Sequence, residues 1–277
     1  MALIDLVLLK ARLGELAGRF DVDALESCDS TSSELMRRAE AGAPAGTVIV
    51  ADRQEAGRGR RGRSWLSSPE SSLTFSVLWR FNAPLARLGG LSLAVGVALA
   101  RALEAQGARG VGLKWPNDVL LATAAGDAKL AGVLVELVGD RRGCQAVIGI
   151  GLNLSRPAVE LPQPVAGLDQ AGVLGADRHS LLAAILRELA DVLDRFAYAG
   201  FSALRPEWQQ RHVWQERPVQ VLGEGEAPLV GSCLGADDDG ALLLATAAGV
   251  QRIYSGDVSL RPEGSTLGVR PAGTTLG

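Results

Sequence analysis

Histidine and cysteine are scarce in this 277-residue chain, with two of the first and three of the second. His179 and His212 alone argue against a histidine-based metal centre or a serine–histidine triad. Cys28, Cys144 and Cys233 are odd in number, far apart and without metal-ligand spacing, which excludes a disulfide framework and a zinc site. They read as buried free thiols of a reducing compartment. Aromatic residues make up only 4%, so Ala, Leu and Val must carry the packing. No charge of one sign dominates: the net charge of -3 gives no global pull toward nucleic acid, and anion binding has to come from a local basic cluster. Long apolar runs are missing too. The strongest, Leu91 to Ala100, is interrupted by Ser92 and falls well short of the ~20 residues that span a bilayer. The opening Met1-Ala-Leu-Ile-Asp-Leu has an early acid and no basic region, unlike a secretory signal. A cytoplasmic protein of roughly one to two domains is expected, with no membrane association.

What is present has a readable order. Residues 3 to 17 suggest one short helix. Thr31 and Glu34 stand at capping-box spacing ahead of Leu35, Met36 and Ala39, predicting a helix over about 32–41 that stops at Gly42. Thr47 to Ala51 reads as a buried strand, and Leu73, Phe75, Val77 and Trp79 alternate as in a strand with one well-buried face. Leu91 to Ala105 is apolar nearly all round, predicting a buried helix. Strands are expected over Leu130–Val138 and Gln145–Leu154, then an irregular connection from Arg156 to Asp177. Leu182, Ile185, Leu186, Leu189, Val192, Leu193 and Phe196 form a helical stripe, with Ser180 as candidate N-cap. After Trp214 the texture changes to short strands, at Pro218–Leu222, Leu229–Leu234, Ala241–Ala245 and Gln251–Tyr254, with Asp239-Gly240 as a hairpin turn. The expected division is 1–214, a small β-barrel over 215–262 and a disordered tail over 263–277.

Three local features carry chemistry. Gly57-Arg58-Gly59-Arg60-Arg61-Gly62-Arg63 sets four guanidinium groups on a glycine-rich loop, a composition suited to closing over an anion. Lys114-Trp115-Pro116-Asn117-Asp118 ends a short apolar strand and delivers an amide and a carboxylate together, as magnesium with substrate phosphates would need. Lys129-Leu-Ala-Gly132 opens an apolar strand in which glycine permits close approach of a ligand. Taken singly, the first slightly favours a solvated basic loop or RNA-contact patch, the second reads equally well as a plain turn, and the third reads as an ordinary solvated lysine.

In this order and spacing the three resemble the signature blocks of the biotin–protein ligase family. The resemblance extends through Asp29-Ser30-Thr31, Gly149-Ile150-Gly151-Leu152-Asn153 and Ser255-Gly256-Asp257-Val258-Ser259-Leu260-Arg261, and so covers about residues 27 to 261. It implies an α+β catalytic domain like that of class II aminoacyl-tRNA synthetases, with mixed sheet and flanking helices, followed by an SH3-like β-barrel. It implies ATP and biotin as substrates and magnesium as cofactor. The partner implied is the biotin carboxyl carrier protein of acetyl-CoA carboxylase, modified by a monomer or weak homodimer.

The resemblance also distributes roles. It assigns Ser30, Thr31, Gln54, Gly57, Arg58, Arg60, Lys129 and Gly132 to biotin, and Arg60, Arg63, Trp65, Lys114, Asn117 and Asn153 to ATP. Arg58, Arg60 and Lys129 become the catalytic residues and Asp118 the magnesium ligand. Two departures stand out. Ser32 occupies a position where many relatives have Asn, so one polar contact near biotin differs. About 28 residues precede the Ser-Thr block, too few for the helix-turn-helix domain of bifunctional members, so sequence-specific DNA binding is not expected. Competing readings are a lipoate–protein ligase, a biotin-responsive repressor and an RNA-binding protein that uses the basic loop. The last would predict a basic rather than slightly acidic chain.

Overall fold

The computed structural model describes residues 2–139, 143–157, 159, 161–223, 227–256 and 258–264. The tail beyond Gly264 and Asp257 of the C-terminal block lie outside the described residues. The chain opens with α1, Leu6–Leu13, continued by a 3-10 turn to Arg19. Asp5 caps α1, accepting from the backbone N–H of Val7 and Leu8, and Leu9 and Leu13 are buried against the body of the protein.

β1, Asp21–Cys28, is followed by α2, Thr31–Glu40, and β2, Thr47–Gln54. β1 and β2 pair in parallel, which requires the helical crossover that α2 supplies. β3, Ser72–Phe81, runs antiparallel to β2. Then come α3, Leu91–Ala105, and the meander β4 (Val111–Lys114), β5 (Asp118–Thr123), β6 (Gly126–Gly139) and β7 (Cys144–Asn153). The seven strands form one mixed sheet in the order β1-β2-β3-β7-β6-β5-β4. α4, Arg178–Ala199, and α5, Arg205–Arg211, complete the α+β body. β8 (Pro218–Leu222), β9 (Leu229–Ala236), β10 (Leu242–Thr246), β11 (Gly249–Ile253) and β12 (Ser259–Pro262) make a second, antiparallel sheet, ordered β11-β10-β9-β8-β12.

One face of the large sheet holds the main core. There Leu73, Phe75, Val77 and Trp79 of β3 meet the apolar sides of α3 and α4, and the same cluster reaches Val221, Cys233 and Leu260 in the second sheet. The opposite face carries a small cluster of Leu35, Ile49, Leu78 and Val147 beneath α2 and, beside it, the site described below. β3 is therefore buried on both faces, not one, because α2 and the site cover the side that bears Thr74 and Ser76.

Two expected caps fall elsewhere. The N-cap of α2 is Ser30, and Thr31 spends its hydroxyl on Gln54 and Ser76 while Glu34 pairs with Arg37 and Arg38. For α4 the cap is Asp177, which accepts from the backbone of His179 and Ser180. Its charge suits a helix N-terminus better than a hydroxyl does. No described helix is long and apolar enough to cross a membrane.

A candidate active site on the glycine face of the sheet

The cavity floor is a place where strands lack side chains. Gly132 of β6 stands opposite Gly151 of β7, which stands opposite Thr74 of β3; one pair along, Leu134, Gly149 and Ser76 are aligned. Side chains at directly opposed antiparallel positions share a face, so the three glycines hollow one side of the sheet. None of them could carry a methyl group unchanged. A Cβ on Gly149 would lie 2.4 Å from Ser32 Oγ, and one on Gly151 would lie 2.2 Å from the Trp65 ring. The resulting cavity of about 380 Å³ is of small-molecule size.

One end of it is a wall of neutral hydrogen-bonding groups. The Thr31 backbone N–H and hydroxyl both donate to Gln54 Oε1, at 2.8 and 3.1 Å. Thr31 Oγ1 is also 2.8 Å from Ser76 Oγ, which in turn is 3.0 Å from Ser32 Oγ. Ser30, Thr31, Ser32 and Ser76 are all buried. The α2 N-terminus places the first three residues, and the end of β2 places Gln54.

The other end is cationic. Arg58, Arg60, Arg63, Lys129 and Arg261 all line the cavity. The arginine loop is folded as a small hairpin: Trp65 N–H donates to Gly57 O at 2.8 Å and Gly59 N–H to Arg63 O at 2.7 Å. Gly57 is obligatory there, since a Cβ would lie 2.3 Å from Trp65 O. Arg61 and Gly62 make the tip with positive φ, 59° and 65°. Mutual repulsion of the arginines is offset by partners. Arg58 donates to Glu136 and to Ser33 Oγ, and Arg61 donates to Ser259 Oγ at 3.0 Å. Arg60 reaches Asn117 Oδ1 at 3.2 Å and the carbonyls of Ser255 and Gly256 at 2.9 and 2.7 Å. The hairpin thus ties the large sheet to the C-terminal one. Burial pulls the Arg261 guanidinium below its ordinary value, with Asp118 opposing and Arg63 and Arg61 adding to the pull.

Behind the cationic end lies a buried triad of charges. Asp118 Oδ1 is 2.6 Å from Lys129 Nζ, and its Oδ2 is 3.1 Å from Lys114 Nζ. Burial alone would raise the Asp118 carboxyl, but Lys129 and Lys114 hold it far below the usual carboxylate range. Burial pushes Lys114 down to about 8 against the attraction of Asp118. Lys129 therefore is not a solvated strand-end lysine: its ammonium lies between Asp118 and the Trp65 ring, 5.6 Å from the ring centre. Asn117 donates to Val133 O at 2.8 Å, and Asn153 donates to Lys129 O and Ala166 O, fixing the strand end that bears the lysine.

Eleven of the fourteen residues expected at the site line the cavity: Ser30, Thr31, Gln54, Arg58, Arg60, Arg63, Trp65, Asn117, Lys129, Gly132 and Asn153. Gly57 lies in the loop behind it, and Lys114 and Asp118 lie beneath it. A magnesium site at Asp118 does not fit this arrangement, because both carboxylate oxygens are engaged by lysines in a buried position. Among the described residues no group of three or more His, Cys, Asp or Glu side chains could gather a metal either. No sequence signal assigned a role to Ser76, Gly149, Gly151 or Arg261, or to Pro157, Leu161, Pro162, Gln163 and Val165, which line one side. The glycines and Arg261 stand inside the blocks that carry the family resemblance, whereas Ser76 gave no signal beyond its place in an alternating strand.

Known proteins share both sheets and the site-bearing segments. Residues 25–153 match the biotin/lipoate A/B protein ligase family, and residues 216–261 match the biotin protein ligase C terminal domain. The chain is 37% identical over 262 residues to the bifunctional ligase/repressor BirA of Escherichia coli, covering 93% of this chain and 79% of that protein. It is 33% identical over 251 residues to the biotin–[acetyl-CoA-carboxylase] ligase of Mycobacterium tuberculosis, covering 89% of this chain and 91% of that one. A solved biotin protein ligase from Aquifex aeolicus, in complex with biotin and ATP, superposes with a TM-score of 0.73 at 32% identity, covering 87% of this chain and 99% of that one. With these relatives matching along nearly its whole length, the chain belongs to the biotin protein ligase family.

Proposed function

We propose that this protein activates biotin with ATP to biotinyl-5'-AMP and transfers biotin to a lysine of a biotin carboxyl carrier protein. The observation that carries the reading is the polarity of the cavity: a wall of hydroxyls and one amide faces a cluster of cations across a floor built on three glycines. The first end suits an uncharged cyclic urea. The second suits a carboxylate meeting a triphosphate.

In the first step a biotin carboxylate oxygen attacks the α-phosphorus of ATP and pyrophosphate leaves. Two anions must approach, so the contribution of Arg60, Arg63 and Lys129 is to reduce that repulsion and stabilise charge in the transition state. Asp118 and Lys114 hold Lys129 in place from below. Trp65 and Asn153 form the nucleotide side, and Arg58, which reaches from the cationic end to Ser33 beside the hydroxyl wall, closes over biotin. Magnesium enters with the nucleotide as part of the substrate, and no protein carboxylate is assigned to it. In the second step the acceptor lysine amine attacks the carbonyl of the mixed anhydride, an amide forms and AMP leaves. The hairpin 57–65 shields the anhydride from water in the interval.

A class II synthetase-like body over 1–214 and an SH3-like barrel over 215–262 complete the reading, with the second supplying Arg261 and the carbonyls that hold Arg60. The setting is cytoplasmic and the carrier is that of acetyl-CoA carboxylase, with no sequence-specific DNA partner. The matched C-terminal domain favours biotin over lipoate, since the family over residues 25–153 spans both. Pyrophosphate release in the presence of MgATP separates the two: biotin should support it and lipoate should not. Release with lipoate alone would move the assignment to the neighbouring ligase class.

A further inference from the structure

The hydroxyls in the cavity wall have a direction, and it follows from counting protons. A backbone N–H can only donate, so the Gln54 atom 2.8 Å from Thr31 N is the carbonyl oxygen, and the amide orientation is fixed. The Thr31 hydroxyl, 3.1 Å from that same oxygen, must then give it its single proton. Ser76 Oγ, 2.8 Å from Thr31 Oγ1, has to be the donor of that pair. Ser76 having spent its proton, Ser32 must donate to Ser76 across 3.0 Å.

We infer that Ser76 and Ser32 are positioning residues for biotin, the inner members of a one-way relay running Ser32 to Ser76 to Thr31 to Gln54. Ser76 is fully buried beneath the floor, and Gly149 leaves the space that Ser32 Oγ fills. The relay sets which groups face the cavity. Thr31 and Ser32 have no proton left and present only lone pairs, while Gln54 Nε2, its carbonyl taken, presents two N–H donors. Acceptors beside a donor match the N–H and C=O groups of a cyclic urea. A hydroxyl that could turn would accept other ligands, and one whose proton is fixed is selective for ligand N–H.

This rests on the biotin reading, and its test separates the two. Biotin binding is measured by calorimetry for the wild-type protein, Ser76→Ala, Ser32→Ala and the double variant, with steady-state rates for each. Failure of the wild-type protein to bind biotin would remove the functional reading itself. With wild-type binding intact, Ser76→Ala should weaken biotin about tenfold, the scale of one buried hydrogen bond, with kcat and the KM for ATP unchanged. The double variant should lose less than the product of the two single losses, because Ser32 acts through Ser76. Folded Ser76→Ala protein with wild-type biotin affinity, or losses that multiply independently, would overturn the relay. If Ser76→Ala does not fold, Ser76→Cys, a similarly sized but weaker donor, carries the same comparison.

Discussion

Asp118 and Lys129 form a buried ion pair, 2.6 Å between Oδ1 and Nζ, directly beneath the cationic end of the cavity. The pairing couples the chemistry of the site to the stability of the fold. Lys129→Ala should slow single-turnover adenylation by more than about a hundredfold, the loss of several kcal/mol of charge stabilisation. It should also lower folding stability, which a solvated lysine would not do. The cost should stay below the ~3–5 kcal/mol typical of breaking a buried pair, because Asp118 keeps Lys114. Stopped-flow pyrophosphate release and urea unfolding measure the two effects. Wild-type stability together with wild-type adenylation would remove Lys129 from both roles.

Asp118→Asn distinguishes a lysine-holding carboxylate from a metal ligand. The rate should fall while its dependence on free magnesium keeps the wild-type midpoint. A midpoint displaced several-fold to higher magnesium would return Asp118 to the metal.

The glycine floor predicts a selective defect. Gly151→Ala puts a methyl group where the Trp65 indole lies, 2.2 Å from the nearest ring carbon, so the ring has to move. The KM for ATP should rise at least several-fold with biotin affinity less affected, and Trp65 fluorescence should change. A silent substitution in both measurements would mean that Trp65 is not part of the nucleotide side.

His212 joins the two sheets, with Nδ1 3.1 Å from Leu113 O, Nε2 3.1 Å from Cys233 Sγ, and its ring stacked on Trp208. Burial pushes it down to about 4, with the Leu113 carbonyl opposing. The unfolded chain therefore takes up this proton first as pH falls. The stability held by neutral His212 is complete above about pH 6.5 and is lost between there and pH 4, amounting to roughly 3 kcal/mol. Urea unfolding from pH 7 to 4.5 should show that slope, and His212→Gln should flatten it. An unchanged slope in the variant would place the titrating group elsewhere.

The hairpin 57–65 should respond to the intermediate. Its tip residue Arg61 is exposed and holds a left-handed φ of 59°, so trypsin can cleave there once the guanidinium leaves Ser259. Biotin plus ATP should slow cleavage there, and should stabilise the fold by roughly 2.7 kcal/mol at a hundredfold excess over the dissociation constant. Equal cleavage rates with and without both substrates would mean that the hairpin does not close on the adenylate.

Helices and central strands were legible because their patterns are local. α3 begins and ends where its apolar run does, and the stripe from Leu182 to Phe196 falls inside α4. β1 went unread because Asp21, Asp23 and Glu26 leave it little apolar alternation, and its identity comes from pairing with β2. α5 is seven residues long and mostly polar, with only Trp208 buried. The cationic residues of the site announced themselves by composition. The relay through Ser76 did not, since it joins α2, β2 and β3, which a sequence pattern does not bring together. The lysine partners of Asp118 were hidden from sequence for a related reason: strand pairing brings both to it, and Lys129 reaches it across β5 and β6.

The most direct measurement is the mass of an acceptor. Purified protein is incubated with biotin, ATP and magnesium together with a biotin carboxyl carrier domain, and the domain is weighed before and after. The expected result is a gain of one biotinyl group on a single lysine, dependent on ATP and abolished when that lysine is replaced by arginine. A carrier domain of unchanged mass, with active protein shown to bind biotin and ATP, would contradict it.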